Sequence, residues 1–348
     1  MVARPPMPSQ KSIAQRLNVH VTLVSKVLSG RMGTSGVSDE MAERIRETAR
    51  EMGYQKNQNA AALRSGSQQV VAAFIDRRFG AAGSGLIEQI VAGISVGTRA
   101  HQQRQAISFY NSLEEFRMIA ETLHPGAADG VIVTGVRDPG LPDEVLRLQA
   151  KGTPVVTVFN NELSSQIPNV KMSDEAIGKL ATQHLIERGR RRILHVSCSR
   201  EREAGYFEAL AEADIARDPM LVHYENRYSN YTRAMGERAV QQAFAEGVEF
   251  DAVSAQSDTQ ALGAMYALIR RGVRVPEDVM ITGVDDSPLA REAYVPLTSV
   301  NQRFEERGKM SVSLLSKLIL GEPAKVAVVA PKLSIRESTG SLETAVSA

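Results

Sequence analysis

From Val70 onward, short apolar runs alternate with stretches of helical period, and few folds accommodate that order. Strands are predicted at Val70–Ile75, Gln105–Phe109, Gly130–Thr134, Pro154–Phe159, Ile193–Val196, Ala252–Ala255 and Val279–Gly283. Helices are predicted between them, at Leu86–Gln102, Glu114–Leu123, Asp143–Lys151, Ala176–Arg188, Gly205–Ala213, Thr232–Glu246 and Thr259–Arg271. Strand–helix alternation implies parallel sheets with helices on both faces, because parallel strands need a crossover as long as a helix. The α/β body is therefore expected to be two doubly wound parallel-sheet lobes. A ligand would sit between them, at the C-terminal ends of the strands. Such a two-lobed clamp closes by hinge motion.

Upstream the pattern changes to an all-α head. Ser9 can cap a helix with Ile13, Ala14 and Leu17 on one face. A second stretch carries Val24, Val27 and Leu28 and stops at Gly30. Ser38 caps a third, with Asp39 and Glu40 in its first turn and Met41, Ile45, Ala49 and Met52 as its buried stripe. Helix two has few apolar positions, so Val21, Thr22, Ser25 and Lys26 must face outward. A small apolar residue, hydroxyls and one cation suit the major groove: Lys26 can donate to guanine, and Val21 can touch a thymine methyl. A three-helix unit that binds protein has the same pattern.

Charge separates the two parts. Residues 1–66 hold ten Lys/Arg and five Asp/Glu, a balance of +5, so the remainder of a chain of net charge +1 carries −4. A basic head on an acidic body points to a polyanionic partner for the head alone. Other classes fit poorly. The apolar runs are too short to span a bilayer. The stretch Met1–Ser9 has three prolines and no apolar core, unlike a signal peptide, so a cytoplasmic location is expected. The single cysteine, Cys198, leaves no disulfide framework, and six scattered histidines lack metal-ligand spacing. No cofactor and no enzymatic activity are expected. The loop Phe79–Gly85 has the spacing G-x-x-G-x-G, the reverse of a dinucleotide fingerprint, which argues against a Rossmann-type oxidoreductase. An exported solute-binding protein would lack the basic helical head.

The run from Ser12 to Ser29 (SIAQRLNVHVTLVSKVLS), Val37-Ser38, Gly53-Tyr54 and the stretch Asn57–Ser65 (NQNAAALRS) resemble the opening of LacI-family bacterial regulators. So do His184–Gly189, Arg202–Tyr206, Asp258–Met265, Gly272–Val279, Gly283–Asp286, Pro296–Val300 and Leu333–Thr339, in matching order. The resemblance implies a helix-turn-helix DNA-binding head over residues 1–56, and a hinge helix and linker over 57–68. It also implies a periplasmic-binding-protein-like effector and dimerisation domain over 69–340, with a tail at 341–348. It places Val21, Thr22 and Lys26 as base-reading residues, and Ser25 and Ser29 on phosphate. Arg31 lies in a loop over the DNA backbone. Asn57, Ala60 and Leu63 belong to the hinge, with Leu63 as the wedge in the minor groove. It implies Arg202 and Asp258 as effector-binding residues, Tyr231 as a stacking aromatic, Gln302 and Phe304 as pocket lining, and the loop from Phe79 as one wall. Asp258 is also suited to capping a helix.

Five positions depart from the family pattern. Lys56 replaces a proline, His20 a serine, and the loop Gly30–Gly36 is longer. Phe159, followed by Asn160, replaces an aspartate in the pocket, and Ser257 replaces an asparagine. Losing a carboxylate and gaining an aromatic argues against a simple hexose and leaves a sugar derivative, a nucleoside-like ligand and an effectorless regulator open. One head reads only a few base pairs, so a homodimer on an inverted-repeat operator in double-stranded DNA is expected, with Leu86–Gln102 and Ala261–Leu268 as interface candidates.

Overall fold

The structure is a computed structural model, which describes residues 8–29, 37–54, 67–80, 84–123, 127–136, 138–225 and 232–340. The chain divides into two compact units, Met1–Gln68 and Gln69–Ala348.

The first unit contains α1 (Gln10–Leu17), α2 (Val21–Leu28) and α3 (Asp39–Glu51). Ser9 and Ser38 cap α1 and α3 through their hydroxyls, which accept from the backbone N–H groups of Ser12 and Met41. His20 caps α2, its ring nitrogen accepting from the Thr22 N–H. The α1–α2 turn closes on Asn18 in the left-handed region, φ 52°, where a short polar side chain is tolerated. Ile13, Ala14, Val24, Val27, Ala42, Ile45 and Ala49 fill one small core. These are the apolar positions of the helical periods, so each helix shows its polar side to water.

The second unit carries two sheets. The first, β1 (Val70–Asp76), β2 (Arg104–Tyr110), β3 (Gly130–Thr134) and β4 (Val155–Val158), has the order β2-β1-β3-β4 and is wholly parallel. The second has the order β12-β10-β9-β8-β6-β7. Its members are β6 (Ile193–Ser197), β7 (Val222–Tyr224), β8 (Ala252–Ala255), β9 (Met280–Val284), β10 (Thr298–Asn301) and β12 (Lys332–Ser334). Only β12 runs antiparallel, against β10. Both faces of each sheet are covered, as the near-continuous burial of β1, β3, β6 and β8 requires.

Three passages carry the chain between the lobes: from β4 to α7 (Asp174–Glu187), from β10 to α12 (Phe304–Ile319), and from β11 (Ala327–Val328) to β12. β5 (Val170–Lys171) lies in the first and pairs with β11 in the third. The seven predicted strands are all present, within a residue or two at each end. The helix α12 is not predicted by the alternation. Its buried face is Phe304, Arg307, Gly308, Ser311, Val312, Leu315 and Ser316, more than half of it polar or glycine, so no apolar stripe marks it. It returns to the first lobe and packs on α4 (Leu86–Ala100) in the core that holds Ile90, Ile94, Val312 and Leu315.

One close approach shapes the site. On α7, a Cβ at Gly178 would lie 2.0 Å from the Arg202 carbonyl oxygen. On α8 (Arg200–Glu212), a Cβ at Gly205 would lie 1.9 Å from the carbonyl of Glu175. Only glycine allows the two helices to cross there. The crossing sets α7, which begins at Asp174, against the turn that carries Arg202.

Candidate effector cleft and DNA-reading helix

In the first unit the outward-facing residues predicted for α2 do face outward. Val21, Thr22, Lys26 and Ser29 are exposed on one side of α2, with Ser25 half-buried beside them. Val24 and Val27 hold the opposite side in the core. The Thr22 hydroxyl is bonded to the His20 ring, so the capping residue also orients this exposed side chain. The Ser29 hydroxyl donates to the Lys26 carbonyl at 3.1 Å. This face offers an apolar γ-methyl, hydroxyls and an ammonium, a set that hydrogen-bonds base edges and phosphates. Arg31, Asn57, Ala60 and Leu63 lie outside the described residues, as does Tyr231 of the body.

In the second unit a cleft opens between the lobes at the C-terminal ends of the strands. Phe79, Phe159, Asn160, Arg202, Gln302 and Phe304 all line it. It also takes in Arg78, Gly80, Gly135, Asn161, Asp174, Ser199, Glu201 and Asp285. The strand ends deliver these groups. Phe79 follows β1, Phe159 follows β4, Ser199 and Arg202 follow β6, Asp285 follows β9 and Gln302 follows β10. One side of the cleft is aromatic, where Phe79 meets Phe304 edge-to-face with centroids 4.9 Å apart; Phe159, packed in a separate core, also lines the cleft.

The other side is a hydrogen-bonded polar wall. Arg202 donates from Nε to Asp174 Oδ1 at 2.7 Å, from Nη1 to the Gln256 carbonyl at 2.6 Å, and from Nη2 to Gln302 Oε1 at 3.4 Å. Asn160 donates from Nδ2 to the same Asp174 oxygen at 2.9 Å and to Gln302 Oε1 at 3.2 Å. Gln302 Nε2 in turn donates to Asp285 Oδ1 at 2.7 Å. Asp285 has φ 117°, a conformation costly for a residue with a Cβ, held because its N–H donates to the Val300 carbonyl at 2.9 Å. Burial, and then the nearby charge of Asp258, push the Asp285 carboxyl up to about 8 against the pull of Arg202.

Asp258 is not brought to the cleft surface. It is the first residue of α10 (Asp258–Ile269), and Ser257, not Asp258, caps that helix. Its carboxylate is buried behind the wall, accepting from the Ser299 hydroxyl at 2.5 Å and the Ser287 N–H at 2.8 Å. Burial raises it to about 7. Of the two carboxyls, Asp258 and Asp285, the latter is the one that lines the cleft. Sequence reading missed it, along with Asp174. Asp285 lies inside the quoted run Gly283–Asp286, but nothing local shows that its backbone turns its side chain inward.

Among the described residues no group of His, Cys, Asp and Glu is placed to hold a metal ion, and no helix is long and apolar enough to cross a membrane.

Comparison with known proteins agrees with this arrangement. A family model for periplasmic binding protein-like domains matches residues 182–339. The HTH-type transcriptional regulator CelR of Thermobifida fusca is 31% identical, over 95% of this chain and 98% of that protein. A ribose operon repressor of Haemophilus influenzae is 27% identical over 97% of this chain and 100% of its own length. Among solved structures, the CelR–cellobiose complex matches with a TM-score of 0.68 and 29% identity, over 95% of this chain and 99% of that one. A LacI-family transcriptional regulator from Sanguibacter keddieii matches at TM-score 0.63 and 28% identity, over 78% of this chain and 99% of that one. The Lac repressor dimer bound to operator shares the fold, with TM-score 0.77 at 22% identity over 97% of this chain and 100% of that one.

Proposed function

The chain belongs to the LacI family of transcriptional regulators, and on that premise we propose that it acts in the cytoplasm as a homodimeric repressor. It holds an inverted-repeat operator through its heads and responds to a sugar-class small molecule in its cleft.

The pairing of two unlike cleft walls carries the ligand reading. A sugar ring has a face of C–H groups, which suits Phe79, Phe159 and Phe304, and a rim of hydroxyls that both donate and accept. Asp285, Arg202 and Gln302 meet such a rim. The CelR relative, solved with cellobiose, supports the same class. On the head, Lys26, Thr22 and Val21 read bases, Ser25 and Ser29 meet phosphate, and Arg31 adds a backbone contact. Asn57, Ala60 and Leu63 enter the minor groove, Leu63 as the wedge that kinks the duplex. A small head reads few base pairs, so two-fold pairing supplies the second half-site.

A ligand changes operator affinity only as far as it prefers one arrangement of the lobes. A tenfold change needs about 1.4 kcal/mol of preference. The test is selection of duplexes from a random pool by the full chain, followed by titration of the selected duplex with a saccharide panel that includes cellobiose. An inverted repeat should emerge. Leu63→Ala should weaken binding to that repeat far more than binding to random duplex. Arg202→Ala should keep the repeat and lose the ligand response. Equal loss on both duplexes, or an intact response in the arginine variant, would remove the corresponding assignment.

A further inference from the structure

Arg307, on the second turn of α12, is fully buried, and its donors go to neutral oxygens. Nε and Nη2 lie 3.3 and 3.1 Å from the Val170 carbonyl, and Nη1 lies 2.9 Å from Asn160 Oδ1. Its guanidinium carbon is 4.4 Å from the centroid of the Phe304 ring. Burial lowers it to about 9, opposed by the charge of Asp174, so it stays a cation at neutral pH. A buried cation held only by neutral acceptors is costly, and such groups cluster where they set the chemistry of a site. This one sits where the lobe crossings meet. Asn160 and Val170 belong to the first passage, Arg307 follows the second, and β5 ties Val170 to the third.

Its position fixes the direction of a chain of amides. A guanidinium can only donate, so Asn160 must turn its oxygen toward Arg307. The Asn160 NH2 group then faces Asp174 and Gln302 Oε1. Gln302, accepting through that oxygen from both Asn160 and Arg202, must present its own NH2 group to Asp285. Asp174 and Arg202 favour the same order from the second lobe. Arg307 supplies it from the hinge.

We propose that Arg307 is a positioning residue that, through Asn160, holds the Gln302 amide as the donor to Asp285 Oδ1 and so fixes the carboxyl that a ligand hydroxyl meets in the cleft. The ligand contact rests on the ligand-cleft reading above; the positioning does not. The charged and titratable groups that bear on Asp285 are Asp258 on α10 and Arg202 on α8, with Asp174 at the start of α7 beside that arginine and Asp286 next in sequence. Arg307 acts on it only through the two amides.

The test follows the Asp285 carboxyl by carbon-13 NMR across pH in the full chain, together with the side-chain amide signals of Asn160 and Gln302. No ligand is needed, so failure here is distinct from failure of the ligand reading. Arg307→Met should raise the Asp285 midpoint by about one pH unit, because Gln302 is no longer held as a donor to the ionised form, and should shift both amide signals. Arg307→Lys, which keeps a donor-only cation, should restore most of both. Asn160→Ala cuts the chain while sparing the Val170 bonds, and should raise the midpoint alike even where Arg307→Met does not fold. An unchanged Asp285 midpoint in either foldable variant overturns the proposal.

Discussion

The two functional surfaces are built on opposite plans. The reading face proposed for the head is one side of an eight-residue helix, and its residues are neighbours in sequence. The cleft gathers Phe79, Phe159, Arg202, Asp285 and Gln302 from five strand ends spread over more than 220 residues. Local periodicity is therefore enough to expose Thr22 and Lys26, whereas the cleft exists only once two sheets have formed and three chain passages have tied them together. The head can change its sequence preference one side chain at a time. In the cleft, Arg202, Asn160, Gln302 and Asp174 share hydrogen bonds, so a change at one is felt by the others.

Substitutions that separate the two plans test this contrast. The largest effect is expected at Gly178. An alanine there puts a carbon 2.0 Å from the Arg202 carbonyl, so α7 and α8 must part. Overpacking against backbone costs about 3 kcal/mol, and calorimetry should show the body melting earlier with the head transition unmoved. Ile45→Ala is the mirror experiment. This side chain is fully buried in the head core, so its truncation should cost about 3 kcal/mol there and leave the body transition in place. Coupled losses in either variant would contradict two independent units.

A third comparison concerns pH. Asp258 and Asp285 have folded-state values of about 7 and 8, above those of the unfolded chain. The folded body therefore binds more protons, and its stability from this pair is full below about pH 4 and falls as pH rises toward 8. Asp258→Asn removes one member and relieves the other, so denaturation midpoints between pH 5 and pH 8 should depend less on pH. A steeper dependence would contradict the pairing. The smallest effect belongs to Lys26→Ala. This exposed residue should leave both melting transitions within about 0.5 kcal/mol. Its affinity for the selected duplex should fall by about 1–3 kcal/mol, measured against random duplex.

The sequence was most readable where structure is local. The caps Ser9 and Ser38, the buried stripes of the head and all seven predicted strands follow from periodicity and capping chemistry. Arg202 and the loop from Phe79 follow strand ends, where a doubly wound sheet opens its crevice, whereas Gln302 was legible only through the family resemblance; all three line the cleft. What escaped has a common cause. Asp285 faces the cleft by virtue of a positive φ, and Asp258 is withdrawn by bonds to Ser287 and Ser299, which lie 29 and 41 residues away. Helix α12 hides because its buried face carries Arg307, Gly308 and Ser311 in place of an apolar stripe. Each depends on contacts between segments that no window of sequence contains.

The central claim is that a helical head reads duplex DNA under the control of a ligand in a separate cleft. Fluorescence anisotropy of the full chain on its selected duplex, at moderate salt with random competitor, measures both parts at once. Tight binding to that duplex over competitor, altered by at least one saccharide in the wild type and unaltered in Arg202→Ala, is the expected result. Binding no tighter than to competitor, with or without saccharide, would contradict it.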